Sequence, residues 1–471
     1  MASRPRAVVV GGGVSGLATA HFLRRAAGPD LELTLLEAGD RLGGKVLTQP
    51  IAGHPVDTGP DALLVRVPAM KALLEALDLD SAIVAPGAGG AYVWSRGRLR
   101  RLPPSTLFGV PQRLWPLVRS GLLSPVGLAR AGLDLVLPRR PVGADPSVGE
   151  LIRPRLGSQV FDRLVDPLLG GVHAGPADLL SARSAVPEVD ALVRGSRSVS
   201  LAARRRAKAG PPAPGPALVS LDGGLSRLVD ALAGALDDVD VRLGTPVEAL
   251  HAVGDRFRLG LAEGAELEAD LVVLATPAYV TAQLLGEIAP DAAAAAAEVP
   301  YADVASLTLV YPREALTREL DGTGFLVPPV EGLLLVGCSW LPAKWPQLAD
   351  PATVLIRGMV GRYGDRRFAG MDDDELVGAV HRELVRTMGL AAPPKEGHVQ
   401  RWPRAMPQYT VGHQARLDRI DRALAAHPGL RVTGAGYRGV GLASCVRQAE
   451  RTVHDLVPRL TGAAPLSGGP A

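Results

Sequence analysis

A mixed α/β fold with a Rossmann-type nucleotide-binding unit is what this 471-residue sequence predicts, from three observations. AVVVGGGVSGLATAHFLRR, residues 7–25, is an apolar strand that passes through a glycine turn into a helical pattern. A second strand–glycine–helix sequence, VTGAGYRGVGLASCVRQAERTV, lies near the end of the chain. Between them, buried-strand runs such as DLVVLATP and alternating strands such as VASLTLVY are interleaved with helices.

A chain of this length outgrows a single hydrophobic core, so two or three structural units are expected. Residues 1–65, 217–285 and 428–471 carry the strand, glycine and helix habits of a nucleotide-binding unit. From Tyr92 onward prolines punctuate helical stretches, which predicts a helical insert over 92–203, and RRRAKAGPPAPGPA, 204–217, has the composition of a mobile loop, placed at 204–216. Residues 66–91 and 286–427, with the alanine helix Ala292–Ala297 and the alternating strands, are left for a mixed-sheet substrate-binding unit.

Composition narrows the function classes. With 51 basic against 48 acidic residues the formal charge is +3, which implies no nucleic-acid partner. Cys338 and Cys445 are far apart without a CxxC pair, so neither a disulfide framework nor a metal site is encoded and a reducing, cytoplasmic setting is expected. No charged-then-apolar leader precedes the first strand, and no apolar run reaches the roughly 18–20 residues of a spanning helix. The basic stretch RGSRSVSLAARRRAK, 194–208, reads as a solvated helix end.

Gly11, Gly13 and Gly16 satisfy G-x-G-x-x-G in the required place, directly after a strand and opening a helix. The first glycine permits the turn, the second lets a pyrophosphate approach the backbone, and the third allows close packing; amides at the helix N-terminus then face the phosphates. Glu37 ends LTLLE about 20 residues beyond Gly16, where a carboxylate accepts both ribose hydroxyls and disfavours a 2′-phosphate. Arg41 with the Gly43–Gly44 doublet can extend the anion site toward a second phosphate and a ribityl chain, which distinguishes FAD from NAD. Gly434, Gly436, Gly439 and Gly441 precede a helix beginning near Ala443, whose N-terminus could stabilise charge at the pyrimidine end of a reduced flavin. Two such elements at opposite ends of the chain predict one dinucleotide gripped along its length.

Taken together, VVVGGGVSGLATAHFL, LLEAGDRLGGKV, VDTGPDALL, LVSLDGGLSRLVDAL, LVVLATPA, GFLVP, RWPRAMPQYTVGH and GAGYRGVGLASCV resemble the FAD-dependent protoporphyrinogen/coproporphyrinogen oxidases of haem synthesis, within the wider amine-oxidase and phytoene-desaturase-like flavoproteins. The resemblance runs end to end, and the P-Q-Y-x-x-G-H and Y-x-G-V-G-L-x-x-C segments are its most specific parts. It implies an FAD-binding domain of the amine-oxidase/glutathione-reductase type. The FAD contacts it implies are Gly11, Gly12, Gly13, Val14, Ser15, Gly16, Glu37, Ala38, Lys45 through its backbone more than its charge, and the turn Gly59, Pro60, Asp61, Ala62. Val247 at the adenine, Trp402 near the isoalloxazine, and Val440, Gly441 and Leu442 at the pyrimidine complete the set.

GCSWLPAKWP and PLLGGVHAGPADLLSARSAVPEV resemble Gram-positive and actinobacterial members, which favours coproporphyrinogen III over protoporphyrinogen IX as substrate and leaves a flavin amine oxidase as the remoter alternative. Arg66 is the first candidate for a propionate partner and Lys344 the second, through ion pairs. Phe325 and Leu326 would line an apolar slot beside the flavin. The resemblance further implies oxygen as acceptor with release of hydrogen peroxide, and hand-over of the product to a downstream ferrochelatase. If the insert touches a membrane, Leu107–Leu137 is the contact, at the inner face. No side chain is assigned as a catalytic acid or base, because flavin N5 accepts the hydride.

Overall fold

The computed structural model describes residues 4–104, 106–208 and 215–461. Five parallel strands form the nucleotide sheet, in the order Asp240–Arg242, Glu32–Leu36, Arg6–Val10, Leu271–Leu274, Leu430–Val432. Successive side chains of a strand point to opposite faces, and the first strand uses both. Ala7 and Val9 pack with Leu17, Leu23, Val446, Ala449 and Val453 of the first and last helices, Val14–Ala27 and Leu442–Thr461. Val8 and Val10 pack on the other side against Leu250, Phe257 and Leu259 of a three-stranded sheet. A sheet covered on both faces needs continuous apolar runs, which is why RAVVV and LVVL lack polar alternation.

The second sheet has seven strands, in the order Glu396–Pro407, Tyr301–Pro312, Thr353–Val360, Leu335–Trp340, Gly324–Leu326, Tyr92–Ser95, Arg98–Arg101. Helix Asp373–Met388 covers one face with Leu376, Val380 and Leu384. Helices between Leu114 and Lys208 form a third core around Leu117, Ile152, Phe161 and Leu164. A buried ion pair stiffens that unit. Arg155 binds the Asp134 carboxylate, which also accepts the Val199 and Ser200 amides at the start of helix Val199–Lys208.

Four boundaries differ from the sequence expectation. Tyr92–Ser95 and Arg98–Arg101 form a hairpin on the seven-stranded sheet, so the helical unit starts after Arg101. Helix Pro68–Ala76 buries Ala69, Met70, Leu73 and Leu74 in the nucleotide core rather than in a substrate unit. Helices Pro290–Ala297 and His413–Leu424 cover the opposite face of the nucleotide sheet, through Ala292, Ala296, Leu417 and Ile420. Of the expected loop 204–216, residues 204–208 continue a helix and 209–214 lie outside the described residues.

Candidate flavin and substrate site

The sequence motifs converge. The Gly43 amide donates to the Gly12 carbonyl at 2.8 Å, bringing the Arg41–Lys45 loop against the first glycine turn. Gly434, from the other end of the chain, has Ser15 Oγ 3.5 Å from where its Cβ would stand. The Gly59 turn lies on Lys45, whose carbonyl oxygen would be 2.0 Å from a methyl at Gly59. Trp402 donates its indole N–H to the Thr58 carbonyl at 3.1 Å, and Ser306 donates to the same oxygen. Glu37 Oε2 accepts the Gly12 amide at 2.6 Å and Oε1 the Gly39 amide at 2.8 Å, which fixes the carboxylate at the end of its strand. The Thr245 amide donates to the Glu37 carbonyl at 2.8 Å, and this carries the start of strand Val247–Val253 alongside.

The glycines test whether a dinucleotide fits. Gly11 has φ 107° and Gly16 would place a methyl 1.8 Å from the Gly11 carbonyl oxygen, so the chain itself requires both. Gly13 is different: its φ is −71°, and a methyl there meets only the Gly44 Cα, at 3.9 Å. Gly441 likewise would meet nothing within 4 Å. These two positions leave backbone bare where the protein has room for a side chain, as a ligand lying on the backbone demands. In the neighbouring loop the Lys45 ammonium is partly desolvated. Burial lowers its pKa, and the Cys445 thiol acts in the opposite direction. A partly desolvated cation in this loop is compatible with a diphosphate or reduced-flavin charge.

Three candidates sit otherwise than expected. The Arg41 guanidinium donates to the carbonyls of Leu42, Gly44 and Val46, holding its own loop in shape instead of reaching outward. Lys344 Nζ lies 2.7 Å from Asp61 Oδ2, with its side chain 18% exposed. The same oxygen takes Arg357 at 3.1 Å and the Trp345 indole at 3.2 Å. Burial alone would raise the Asp61 carboxyl, but Arg357 and Lys344 hold it well below the usual carboxylate range. Lys344 and Arg357 share this one carboxylate, so a propionate reaching Lys344 would compete with a buried partner for it. Phe325, 2% exposed, packs among Trp340 and Leu335 in the sheet core. Leu326, on the opposite face, approaches Gly171 and Gly337, where the Met359 methyl also lies. Gly171 and Val172 are exposed and Leu326 and Met359 half-buried, so on this face apolar atoms of the sheet meet the edge of helix Asp166–His173. Arg66 donates to the Gly215 carbonyl at 2.9 Å on an exposed rim.

Arg357, Tyr409 and His413 were not singled out as site residues. Arg357 donates to the Asp57 and Gly59 carbonyls and so shapes the turn. Its signal was a lone charge inside the apolar strand TVLIRGMV. Among the described residues no group of three or more His, Cys, Asp or Glu is placed to hold a metal ion.

The pattern of flavin-containing amine oxidoreductases matches residues 14–457. The chain belongs to this family. Similarity to relatives within it runs end to end: 33% identity to the coproporphyrinogen III oxidase of Bacillus subtilis, covering 96% of this chain and 98% of that one, and 36% to that of Mycobacterium bovis, covering 96% and 97%. A solved structure from Exiguobacterium sp. 255-15 superposes with a TM-score of 0.85 at 31% identity, covering 97% and 99% of the two chains. This family member is an FAD-dependent oxidoreductase, and the bare backbone at Gly13 and Gly441 lies where the first and last motifs meet.

Proposed function

We propose that the protein oxidises coproporphyrinogen III to coproporphyrin III, with three molecules of oxygen reduced to three of hydrogen peroxide. The observation that carries this reading is full-length similarity, at 33–36% identity, to proteins named coproporphyrinogen III oxidase. FAD, when bound, supplies a two-electron acceptor for hydride from a bridge carbon of the macrocycle. The chain's part is to bind and orient. Glu37 takes the ribose hydroxyls; amides of the turn Gly11–Gly16 and the Lys45 ammonium take the diphosphate. Trp402 and Ser306 fix the Thr58–Gly59 turn beside the flavin. Leu326, Met359 and the Gly171 edge of the neighbouring helix give the flat substrate apolar walls, a surface from which water is excluded when the macrocycle lies on it. Arg66 remains our candidate for a propionate. Lys344 does not.

The membrane-facing and product-side readings have separate support. Trp115, Val126 and Val136 are 67%, 77% and 64% exposed on the helical unit, among Arg113, Arg119, Arg139 and Arg140. Exposed apolar side chains with arginines near them in the chain, Arg119 lying over the Trp115 ring at 5.8 Å, suit peripheral contact with an anionic bilayer surface. No helix among the described residues is long and apolar enough to cross a membrane. The porphyrin product is a metal-free ligand, and a ferrochelatase is the class of enzyme that consumes it.

Purified protein incubated under air with each porphyrinogen, followed by porphyrin fluorescence, is expected to turn over coproporphyrinogen III faster. A preference for protoporphyrinogen IX would reassign the substrate, and failure with both would remove the proposed function while leaving the flavoprotein assignment intact.

A further inference from the structure

The turn Gly434–Gly441, which carries Val440 and Gly441 at the flavin site, has four glycines in eight residues, with Gly434 and Gly439 at φ of 120° and 124°. Such a segment has much freedom to lose on ordering. Gln448 of the following helix accepts the Arg438 amide at 3.0 Å and donates to the Gly439 carbonyl at 3.3 Å, and two side chains from a separate segment hold the turn as well. Tyr409, 1% exposed, sets its hydroxyl between Ala435 and Gly439: the O–H donates to the Ala435 carbonyl at 2.7 Å and accepts the Gly439 amide at 2.7 Å. His413 stacks on the Tyr409 ring, centroids 4.0 Å apart and planes within 14°, and its Nε2 donates to the Tyr437 carbonyl at 2.7 Å. Burial pushes the Tyr409 hydroxyl far up and brings the imidazole down to about 4, so the first keeps its proton and the second stays neutral across the ordinary pH range.

The segment that carries both side chains is itself fastened to the helical unit. The Ser181 amide donates to the Tyr409 carbonyl at 2.8 Å, and the Gly412 amide to the Asp145 carboxylate at 2.7 Å. The other Asp145 oxygen accepts the Ser181 hydroxyl, and the Gln408 amide donates to the His173 carbonyl at 2.7 Å. A continuous run of hydrogen bonds therefore joins the helical unit to the backbone of the flavin turn.

We propose that Tyr409 is a positioning residue for the cofactor: its hydroxyl sets the conformation of Gly434–Gly441, and hence FAD affinity and the surroundings of the flavin's pyrimidine edge, with His413 bracing it and Asp145 fixing it to the helical unit. This goes beyond the substrate assignment and is read on bound FAD alone, so either can fail without the other.

The test follows FAD release from the holoenzyme on dilution by the recovery of free-flavin fluorescence, together with the visible spectrum and midpoint potential of the bound flavin. Tyr409→Phe removes one oxygen and two buried hydrogen bonds, each worth about 0.5–1.5 kcal/mol, and is expected to raise the FAD Kd about tenfold and to move the spectrum and potential. Asp145→Asn, in the helical unit, is expected to raise the Kd about threefold, one weakened hydrogen bond removed from the turn. Tyr311→Phe is the matched control. Its hydroxyl bonds His381 at 3.0 Å, between the seven-stranded sheet and its covering helix Asp373–Met388, so its loss is expected to lower Tm with FAD Kd and spectrum unmoved. Unchanged Kd and spectrum in Tyr409→Phe, with only Tm lowered, would overturn the proposal by making the hydroxyl a structural group like that of Tyr311. Should Tyr409→Phe not fold, an unchanged Kd in Asp145→Asn overturns it in the same way.

Discussion

Phe325 and Leu326 are chain neighbours on opposite sides of one strand, and substitution separates their roles. Phe325→Ala empties a filled core and is expected to cost about 3–5 kcal/mol of stability, measured by urea unfolding. Leu326→Ala removes part of the proposed substrate wall and is expected to raise KM for the porphyrinogen several-fold with Tm nearly unchanged; the reverse pattern would place the slot on the other face of the sheet. Asp57 is a second residue with a measurable signature. Burial raises its carboxyl to about 6 even though the Thr48 hydroxyl and the Leu225 amide both donate to it. The folded protein therefore binds this proton more tightly than the unfolded chain, and the Asp57 contribution to stability declines as pH rises from about 4 to about 6, by about 3 kcal/mol in all. Asp57→Asn keeps an acceptor for both donors and is expected to flatten Tm across that interval and to raise Tm above it. A pH profile unchanged by the substitution would mean that Asp57 titrates as an ordinary carboxylate.

The glycine turns divide by what each glycine is for. A methyl at Gly16 would overlap the Gly11 carbonyl, whereas one at Gly13 finds protein-free space. Gly16→Ala is therefore expected to give no soluble folded protein, and Gly13→Ala to fold with a Tm close to that of the unmodified chain while losing FAD, seen as colourless protein on purification. Retention of yellow colour by Gly13→Ala would show that the diphosphate does not lie against that backbone. These assignments were legible in the sequence because G-x-G-x-x-G between strand and helix has one geometric solution. Arg41 shows the limit. Its spacing from the glycines was correct, but a guanidinium with three local carbonyls in reach satisfies them first, and spacing alone cannot say which oxygens compete for a donor. Lys344 failed as a free cation for a related reason. Its partner Asp61 is 283 positions away, beyond any local pattern.

At the scale of the molecule, the sequence revealed the kinds of layer but misplaced several of their members. Helices Pro68–Ala76, Pro290–Ala297 and His413–Leu424 were assigned by their neighbours in the chain, yet each buries its apolar stripe in one of the two cores that flank the nucleotide sheet. An apolar stripe identifies a buried face without naming the surface that buries it. The hairpin at Tyr92–Arg101 was assigned to the helical insert because the four arginines in WSRGRLRR break the apolar alternation of a strand, but they form the solvated edge of a sheet. The exposed Trp115, Val126 and Val136 among arginines also belong to this scale. The protein is expected to pellet with vesicles rich in anionic lipid at low salt and to stay in solution with neutral ones, and Trp115→Ser is expected to weaken the association. Equal recovery in solution with both vesicle types would remove the membrane contact.

The first and last helices press on the same sheet face, and the flavin turn at Gly434–Gly441 follows the Gly11–Gly16 turn only after most of the strands and helices. During synthesis the Gly11–Gly16 turn leaves the ribosome early, while the turn that completes the grip on FAD is still inside or untranslated. Strand Arg6–Val10 also waits for Leu271–Leu274 before it has both neighbours. A nascent chain must therefore carry an unfinished apolar sheet until Leu271–Leu274 has followed, and capture of the cofactor waits for Gly434–Gly441. Holoenzyme yield in the cell should thus follow the FAD available to chains that already hold both turns, and a ribosome-stalled fragment ending before Gly434 would emerge colourless.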